Sequence, residues 1–375
     1  MIKILIAGDF CPRDRVADLL DNKQYGVVLD NIKPLFEKKD YAIVNLECPL
    51  VDNAEPIKKL GPNLKHNAHS LEALKHIGFD MVTLANNHFY DYGDNGVANT
   101  INKLKEYNID FVGGGTNLEE AGKIFYKDIK NKKIAFINAC EHEFSIAAEK
   151  TAGSNPLNPI QVYYQVKEAK KIADYVIIIT HGGHEHYQLP SPEMKEMFRF
   201  FVDAGVSCVV NHHQHCYSGY EIHNGAPIFY GLGNFCFDKP NTRKSIWNEG
   251  FMLQLNINEK NNLSFGLIPY IQSDENPEVR LMNTEEKENF ENKILDLNNV
   301  ISDDKLHIKE YQRYLSAKKQ EYLLRMIPYT NRYANALARR GLLPNFINSK
   351  RRVLLRNMIE CESHRGILLN ALKQL

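Results

Sequence analysis

The stretch "FDMVTLANNHFYDYGDNGVANTINKLKEYNIDFVGG", residues 79–114, decides the fold class. It opens with a short apolar run (79–85), passes through polar residues into an amphipathic segment (95–108), and ends in a second apolar run (109–114). This order predicts a strand, a helix and another strand. Similar apolar runs lie at 2–8, 41–46, 133–139, 175–180, 206–210 and 226–233. Alternation of this kind predicts an α/β fold.

The remainder of the chain follows other patterns. Runs 250–258 and 263–272 have no helical segment between them, which predicts an antiparallel pair and therefore mixed sheets. Residues 273–304 are polar and acidic, so we interpret them as a linker with some helix. From residue 305, Leu and Ile recur at three- and four-residue spacing, which is typical of helices. The predicted parts are a domain at 1–272, an acidic linker at 273–304 and a basic helical subdomain at 305–375.

Composition excludes several classes of protein. Hydrophobic residues make up 43% and charged residues 25%, which is ordinary for a globular protein. No apolar run approaches the ~20 residues that a membrane-spanning helix needs. The N-terminal run leads directly into a polar motif, so we interpret it as a first strand and expect a cytoplasmic protein. The seven cysteines form no CxxC pair, which argues against a disulfide framework and a zinc ribbon.

The net charge of zero conceals an asymmetry. Residues 305–375 carry 15 Lys and Arg against 4 Asp and Glu, which leaves 31 basic and 42 acidic residues in the rest of the chain. Three explanations remain open. The basic helices pack on the acidic body, or they contact an anionic polymer or a membrane face through residues 337–356, or they bind nucleic acid. Nucleic acid is disfavoured because the segment has no recognised reader motif.

Polar residues follow the predicted strands, where the loops of an α/β sheet converge. Carboxylates, amides and imidazoles follow five separate runs: Asp9, Asn45, Glu47, Asn87, His88, Asp91, His181, His213 and His215. A single His after a strand is usually an ordinary hydrogen-bonded residue. The set is different, because carboxylate, amide and neutral imidazole are the ligands of a hard-to-borderline dinuclear metal site. In an extended turn His213 and His215 share a face, and His212 points away.

These segments resemble the CapA family of poly-gamma-glutamate capsule synthesis proteins, which has the calcineurin-like metallophosphoesterase fold. The resemblance covers roughly residues 1–240. It is carried by "GDF" (8–10), "NLECPL" (45–50), "GFDMVTLANNHFYDYG" (78–93), "GGGTN" (113–117), "THGGHEHY" (180–187), "NHHQH" (211–215) and "YGLGNFCFD" (230–238). It implies a four-layer α/β/β/α sandwich of mixed sheets with a C-terminal helical appendage.

The resemblance also implies a site with two divalent metal ions, which we expect to be Mn, Fe or Zn. The implied ligands are Asp9, Glu47 as the bridging carboxylate, Asn87, His181, His213 and His215. His88 takes the position of the histidine beside the scissile group, and we expect it to protonate the leaving oxygen with Asp91 orienting it. We expect Asn45, Glu185 and Asn234 to contact substrate.

The chain departs from the family pattern at three places. The superfamily's Asp-x-His opening reads Asp9-Phe10-Cys11, so one histidine ligand is missing. The usual Trp of the "HWG" motif is Gly182, and the Tyr after its glutamate is His186. The usual Gly-His-His-Pro-His reads "NHHQH" at residues 211–215. These changes leave the ligand set whole but alter the pocket wall.

Two functions follow as hypotheses. The first is a metal-dependent phosphoester hydrolase of capsule or cell-surface polymer metabolism, acting on a phosphorylated small molecule or an anionic polymer intermediate. The alternative is a non-catalytic component of polymer synthesis, in which the metal site binds a partner or stabilises the fold. We expect no nucleic-acid partner, and the basic C-terminal helices could provide a peripheral membrane contact.

Overall fold

The computed structural model describes residues 1–326, 332–340, 342–343 and 348–373. The chain divides into two units, Met1–His307 and Ile308–Leu375.

Sixteen strands lie in the first unit. They are β1 (Ile2–Phe10), β2 (Tyr41–Leu46), β3 (Met81–Thr83), β4 (Asp110–Val112), β5 (Gly114–Gly115), β6 (Phe125–Ile129), β7 (Lys132–Cys140), β8 (Gly153–Ser154), β9 (Tyr175–His181), β10 (Cys208–His212), β11 (Tyr220–His223), β12 (Ala226–Phe229), β13 (Asn234–Cys236), β14 (Glu249–Ile257), β15 (Leu263–Gln272) and β16 (Val279–Leu281).

Nine helices begin and end within the first unit, and a tenth begins there. They are α1 (Asp14–Asp21), α2 (Tyr25–Leu29), α3 (Lys33–Phe36), α4 (His69–Ile77), α5 (Gly93–Glu106), α6 (Leu118–Ala121), α7 (Pro159–Ala169), α8 (Pro192–Asp203), α9 (Thr284–Ser302) and α10 (Asp304–Arg325).

The strands form two large mixed sheets. The larger has the order β16-β15-β14-β1-β2-β3-β4, with β13 pairing β1 off this path. In it β1 to β4 are parallel, whereas β14 to β16 are antiparallel. The smaller sheet has the order β11-β12-β10-β9-β7-β6, with four parallel strands between two antiparallel edges. The predicted antiparallel pair at 250–258 and 263–272 is β14 with β15.

Alternating side chains of β1 face two different cores. Ile4 and Ile6 pack in a core that they share with residues of the smaller sheet such as Ile177, and this core continues to α7 and α8. Leu5 and Ala7 point the other way, into a core formed with α1, α4 and α5. Successive side chains of a strand point to opposite faces, so β1 contributes apolar side chains to a core on each side of the sheet. The layers are therefore helix, sheet, sheet and helix, and the predicted four-layer fold is confirmed.

One glycine of β1 allows β13 to approach. A Cβ on Gly8 would lie 1.8 Å from the backbone oxygen of Gly233. The amide of Asp9 donates to that same oxygen at 3.3 Å. Because β13 begins at Asn234, the absence of a side chain at Gly8 brings this asparagine beside the end of β1.

Residues 273–304 differ from the expected linker. They contain β16, which completes the edge of the larger sheet, and α9, which carries a capping box at Asn283. Four side chains of α9 are buried in the core: Phe290, Ile294, Leu297 and Ile301. Their spacing of four, three and four residues places them on one helix face. The segment is acidic only on its solvent side, and its apolar face makes it part of the first unit.

The described residues of the second unit are largely helical. They comprise most of α10, together with α11 (Arg332–Arg339), α12 (Ser349–Glu360) and α13 (Glu362–Lys373). The segment 337–356, to which one of the three explanations assigned a polymer or membrane contact, includes positions 341 and 344–347, which lie outside the described residues. Within the described ranges, no helix combines the length and apolarity needed to cross a bilayer. All seven cysteines are free thiols.

Candidate metal centre

All six residues that the resemblance assigned as metal ligands are buried and lie together. They come from the ends of strands in both large sheets and from the loops that follow them: Asp9, Glu47, Asn87, His181, His213 and His215. The register explains part of this convergence, because Asp9 pairs with Asn45 in the larger sheet and His181 pairs with His212 in the smaller. Parallel strands end at the same edge, so their last polar side chains meet there.

The first group of potential ligand atoms comprises Glu47, His181 and His213, all within 4.8 Å of one another. Nε2 of His181 lies 3.7 Å from Oε1 of Glu47 and 3.1 Å from Nδ1 of His213. Oδ1 of Asn87 lies 3.1 Å from the same Nε2. The amide oxygen of Asn87 therefore extends this group to four potential ligands.

The second group comprises Asp9, Glu47 and His215, again within 4.8 Å of one another. Nδ1 of His215 lies 3.7 Å from Oδ2 of Asp9, and its Nε2 lies 3.7 Å from Oε1 of Glu47. Glu47 is the residue common to both groups. A carboxylate shared in this way is suited to bridge two cations.

The protonation chemistry of the carboxylates fits divalent cations. Neither oxygen of Glu47 has a hydrogen-bond partner among the described residues. Burial, followed by repulsion from Asp9, raises the pKa of Glu47 well above its usual range. Burial also raises the pKa of Asp9 to about 6, partly offset by a hydrogen bond from Asn45. Two adjacent buried carboxylates need positive charge beside them, which metal ions would supply.

The imidazoles are in the form that a metal requires. Burial, reinforced by neighbouring histidines, lowers the pKa of His181 and of His215 well below the usual range. Both rings are therefore neutral at pH 7 and offer a lone pair.

His213 and His215 have φ values of 94° and 54°, in the left-handed region. The two side chains thus reach the site through a strained backbone and not through the extended turn that we expected.

Two asparagines expected to contact substrate lie against potential ligand side chains. Nδ2 of Asn45 donates to Oδ1 of Asp9 at 2.7 Å and lies 3.2 Å from Nδ1 of His181. Oδ1 of Asn234 lies 2.9 Å from Nδ1 of His215. Both amides hold the side chains of potential ligands, an arrangement that is usual around protein metal sites. Glu185, the third expected substrate contact, is exposed to solvent.

His88 is held beside the two groups by Asp91. Nδ1 of His88 lies 2.7 Å from Oδ2 of Asp91, which also accepts from the backbone amide of Leu64 at 2.6 Å. This is the orienting contact expected from the sequence. Burial lowers the pKa of His88, against the opposing effect of Asp91. His88 is therefore a neutral ring with one nitrogen fixed by a carboxylate.

Lys59 is a residue of the site that was not predicted from the sequence. Its ammonium forms an ion pair with Oδ1 of Asp91 and lies 3.1 Å from Nδ1 of His88. The side chain is only 2% exposed, although the loop around it is largely exposed. No feature of the sequence separates this lysine from its neighbour Lys58, because only the folded loop brings it to Asp91.

His212 and Cys11 belong to neither ligand group. His212 is buried, with Nδ1 3.4 Å from Oδ1 of Asp9, and burial lowers its pKa to about 3. His212 therefore contacts Asp9 without belonging to either group. Cys11, at the position of the missing family histidine, is a fully buried thiol whose pKa is raised by burial and by its contact with Cys48.

Aromatic rings form one wall of the site. The ring of Trp247 lies 4.7 Å from that of His215 and 5.7 Å from that of His186, centroid to centroid. Trp247 is buried, and its indole nitrogen donates to the carbonyl of Phe237 at 2.8 Å. The single tryptophan therefore packs directly on a potential metal ligand.

Comparison with known proteins identifies similar sequences. The family model described as "Bacterial capsule synthesis protein PGA_cap" matches residues 3–239. The "Capsule biosynthesis protein CapA" of Bacillus anthracis is 28% identical over 277 residues, covering 72% of this chain and 67% of that protein. The "PGA biosynthesis protein CapA" of Bacillus subtilis (strain 168) is 32% identical over 243 residues, covering 63% of each. The matches thus span about two thirds of the length of these relatives.

Solved structures show partial similarity. A hypothetical protein from Thermus thermophilus aligns with a TM-score of 0.47 at 14% identity, covering 72% of this chain and 99% of that one. The Haemophilus influenzae NAD nucleotidase (NadN) aligns with a TM-score of 0.42 at 13% identity, covering 85% of this chain and 60% of that one.

Proposed function

The chain belongs to the bacterial capsule synthesis protein PGA_cap family, and on this premise we propose that it is a metal-dependent phosphoester hydrolase of capsule or cell-surface polymer metabolism. The resemblance to CapA proteins is confirmed by the family model and by the Bacillus relatives. A family name does not establish a reaction, so the proposal depends on the site itself.

One observation carries the proposal: two groups of buried ligand atoms share Glu47. We propose that two divalent cations bind there, one at Asp9, Glu47 and His215, the other at Glu47, Asn87, His181 and His213. The mixture of oxygen and imidazole ligands suits Mn, Fe or Zn. Cations bound in such a pair supply Lewis-acid activation of water and charge stabilisation for phosphoryl oxygens.

The residues of the chain would then act in distinct ways. Asn45 and Asn234 hold the side chains of Asp9 and His215 in place. His88 has Nδ1 held by Asp91, so its Nε2 carries the lone pair of the neutral ring. Nε2 would first take a proton from the attacking water, giving an imidazolium that Asp91 stabilises, and would then return that proton to the leaving oxygen. Lys59 balances the charge of Asp91 and adds a cation beside His88, which favours an anionic substrate. A phosphorylated small molecule or an anionic polymer intermediate meets this requirement.

A second candidate function is a non-catalytic role in polymer synthesis. The relatives' names support it, since they describe synthesis proteins and, for a Mycobacterium tuberculosis relative that is 25% identical over 212 residues, a "Probable polyglutamine synthesis accessory protein". In that case the metals would bind a partner or stabilise the fold. His88 distinguishes the two functions, because a binding or structural site does not need a proton donor beside its ligands.

The experiment combines metal analysis with a phosphoester panel. After reconstitution with Mn, Fe or Zn, the full chain should hold about two metal equivalents. It should hydrolyse at least one phosphoester, and His88→Ala should keep both metals but lose about 10²–10⁴-fold in turnover. His223→Ala is the matched control, since His223 pairs with Asp203 at 2.8 Å on the surface.

The outcomes separate the candidates. A chain that binds no metal after reconstitution contradicts both. Two bound metals with no activity on any phosphoester support the non-catalytic role. Equal activity in His88→Ala and wild type removes His88 from the mechanism.

A further inference from the structure

We infer that Glu141, a residue outside the set expected from the sequence, positions His213 for metal binding through the electrostatic contact of its carboxylate with Nε2–H. Glu141 follows β7 directly and belongs to neither ligand group. Its Oε1 lies 3.3 Å from Nε2 of His213. The inference rests on the metal site of the proposed function and names a further residue that shapes it.

The geometry assigns one role to each nitrogen of the His213 ring. Nδ1 faces the first ligand group, 3.1 Å from Nε2 of His181. Nε2 faces the carboxylate of Glu141 on the opposite side. A neutral imidazole carries one proton, so a carboxylate at Nε2 favours the tautomer that leaves the Nδ1 lone pair free. Carboxylates are common partners of metal-binding histidines for this reason.

The carboxylate of Glu141 is itself held in place. Oε2 accepts from the backbone amide of Gly183 at 3.1 Å. The backbone amide of Glu141 donates to the carbonyl of His181 at 3.0 Å. Both anchors belong to the end of β9 and the loop after it, so Glu141 is fixed relative to His181. These two hydrogen bonds limit the movement of the Glu141 side chain, although it is 39% exposed.

Gly182 provides the room for this carboxylate. A Cβ at position 182 would lie 3.1 Å from Oε2 of Glu141 and 3.4 Å from its Cβ. The resembled family usually carries a tryptophan at this position, and a large side chain there would push Glu141 away. The glycine and the carboxylate therefore act as a pair in this chain, and each gives an independent way to test the contact.

The test measures metal affinity in the full chain, independently of activity. Mn²⁺ is titrated into the metal-free protein and followed by electron paramagnetic resonance and by calorimetry. Glu141→Leu should weaken one of the two bound equivalents about 10–100-fold, the range found when such partners are removed. Glu141→Gln keeps a neutral acceptor and should fall between the wild type and Glu141→Leu. Glu143→Gln, a neighbouring exposed carboxylate, is the control for the loss of one negative charge.

A second variant separates the contact from general damage. Gly182→Leu should displace Glu141 and weaken the same equivalent, and the double variant with Glu141→Leu should be no weaker than either single variant. Circular dichroism should show an unchanged fold in all variants. Wild-type affinity in Glu141→Leu, or an equal loss in Glu143→Gln, overturns the inference while leaving the proposed function standing. Absence of Mn²⁺ binding by the wild type overturns both.

Discussion

Replacing Lys59 with methionine should strongly destabilise the first unit. The ammonium of Lys59 is paired with Asp91, and the two side chains are 2% and 0% exposed. Methionine keeps most of the length of the side chain but leaves the carboxylate of Asp91 without its cation. Removing one partner of a buried ion pair usually costs about 3–5 kcal/mol, because the other charge stays buried. Asp91 retains the amide of Leu64 and the ring of His88, so we expect a loss near the lower limit, about 3 kcal/mol.

Trp247 provides the assay. It is the only tryptophan of the chain, and it is buried in the first unit. Its fluorescence therefore follows the unfolding of that unit during urea titration. A loss of about 3 kcal/mol lowers the folding equilibrium constant roughly 100-fold. Lys171→Met is the control. It removes the exposed ion pair in which Nζ of Lys171 lies 2.7 Å from Oε2 of Glu168, and it should give the wild-type unfolding transition.

A double variant tests the physical cause. Lys59→Met combined with Asp91→Asn removes both charges, so it should be more stable than the sum of the two single losses predicts. A Lys59→Met transition that coincides with the wild type would refute the reasoning, since a buried carboxylate cannot lose its cation without a penalty. Additive losses in the double variant would also refute it, because they would show that the two charges do not interact.

Three further predictions concern the titration of the site and the packing of the fold. In the metal-free protein the pKa of Asp9 is raised from 3.8 to about 6 by burial, so the folded state binds more protons than the unfolded state between these values. The stabilisation that this proton provides is complete below about pH 4 and is lost as the pH rises through about 6. Urea midpoints of the wild type should therefore fall over this range relative to those of Asp9→Asn, and a rise would contradict the assignment. Phe290→Ala in α9 should lower the free energy of unfolding, measured in urea, by about 3–5 kcal/mol. Leu295→Ala is the control on the same helix: this side chain is 59% exposed, and its loss should change the free energy by no more than about 0.5 kcal/mol. Equal effects would mean that α9 does not pack in the core. Gly8→Ala places a Cβ 1.8 Å from a backbone oxygen and should destabilise the protein by about 4 kcal/mol or more. Gly266→Ala is the control and should change stability little, because no atom lies within 4 Å of the added Cβ. Thermal melting measures both variants, and a stable Gly8→Ala protein would contradict the close approach of β13.

The sequence contained clear signals for the sheets and for the strand-end residues. Short apolar runs that end in polar residues predicted the strands, and parallel strands bring their ends to one edge. For this reason the amino-acid pattern predicted that Asp9, Glu47 and His181 gather, although it is the packing of the two sheets that brings His181, from the smaller sheet, to the other two. The signal for α9 was also present, in apolar residues at positions 290, 294, 297 and 301. Its acidic composition obscured that periodicity, and the segment was interpreted as a linker.

The contacts that surround the strand-end residues leave no signal in a short stretch of sequence. The sequence pattern by itself determined the α/β class and which residues stand at the strand ends, because hydrophobic periodicity is a property of short segments. The four-layer α/β/β/α arrangement was implied by the family resemblance. Only the tertiary structure decided which groups surround those residues. Lys59 reaches Asp91 through a long loop, and Glu141, after β7, reaches His213, after β10, across the intervening strand β9. Such contacts depend on loop paths and on the space that a glycine such as Gly182 leaves, and the chain acquires both only when it folds.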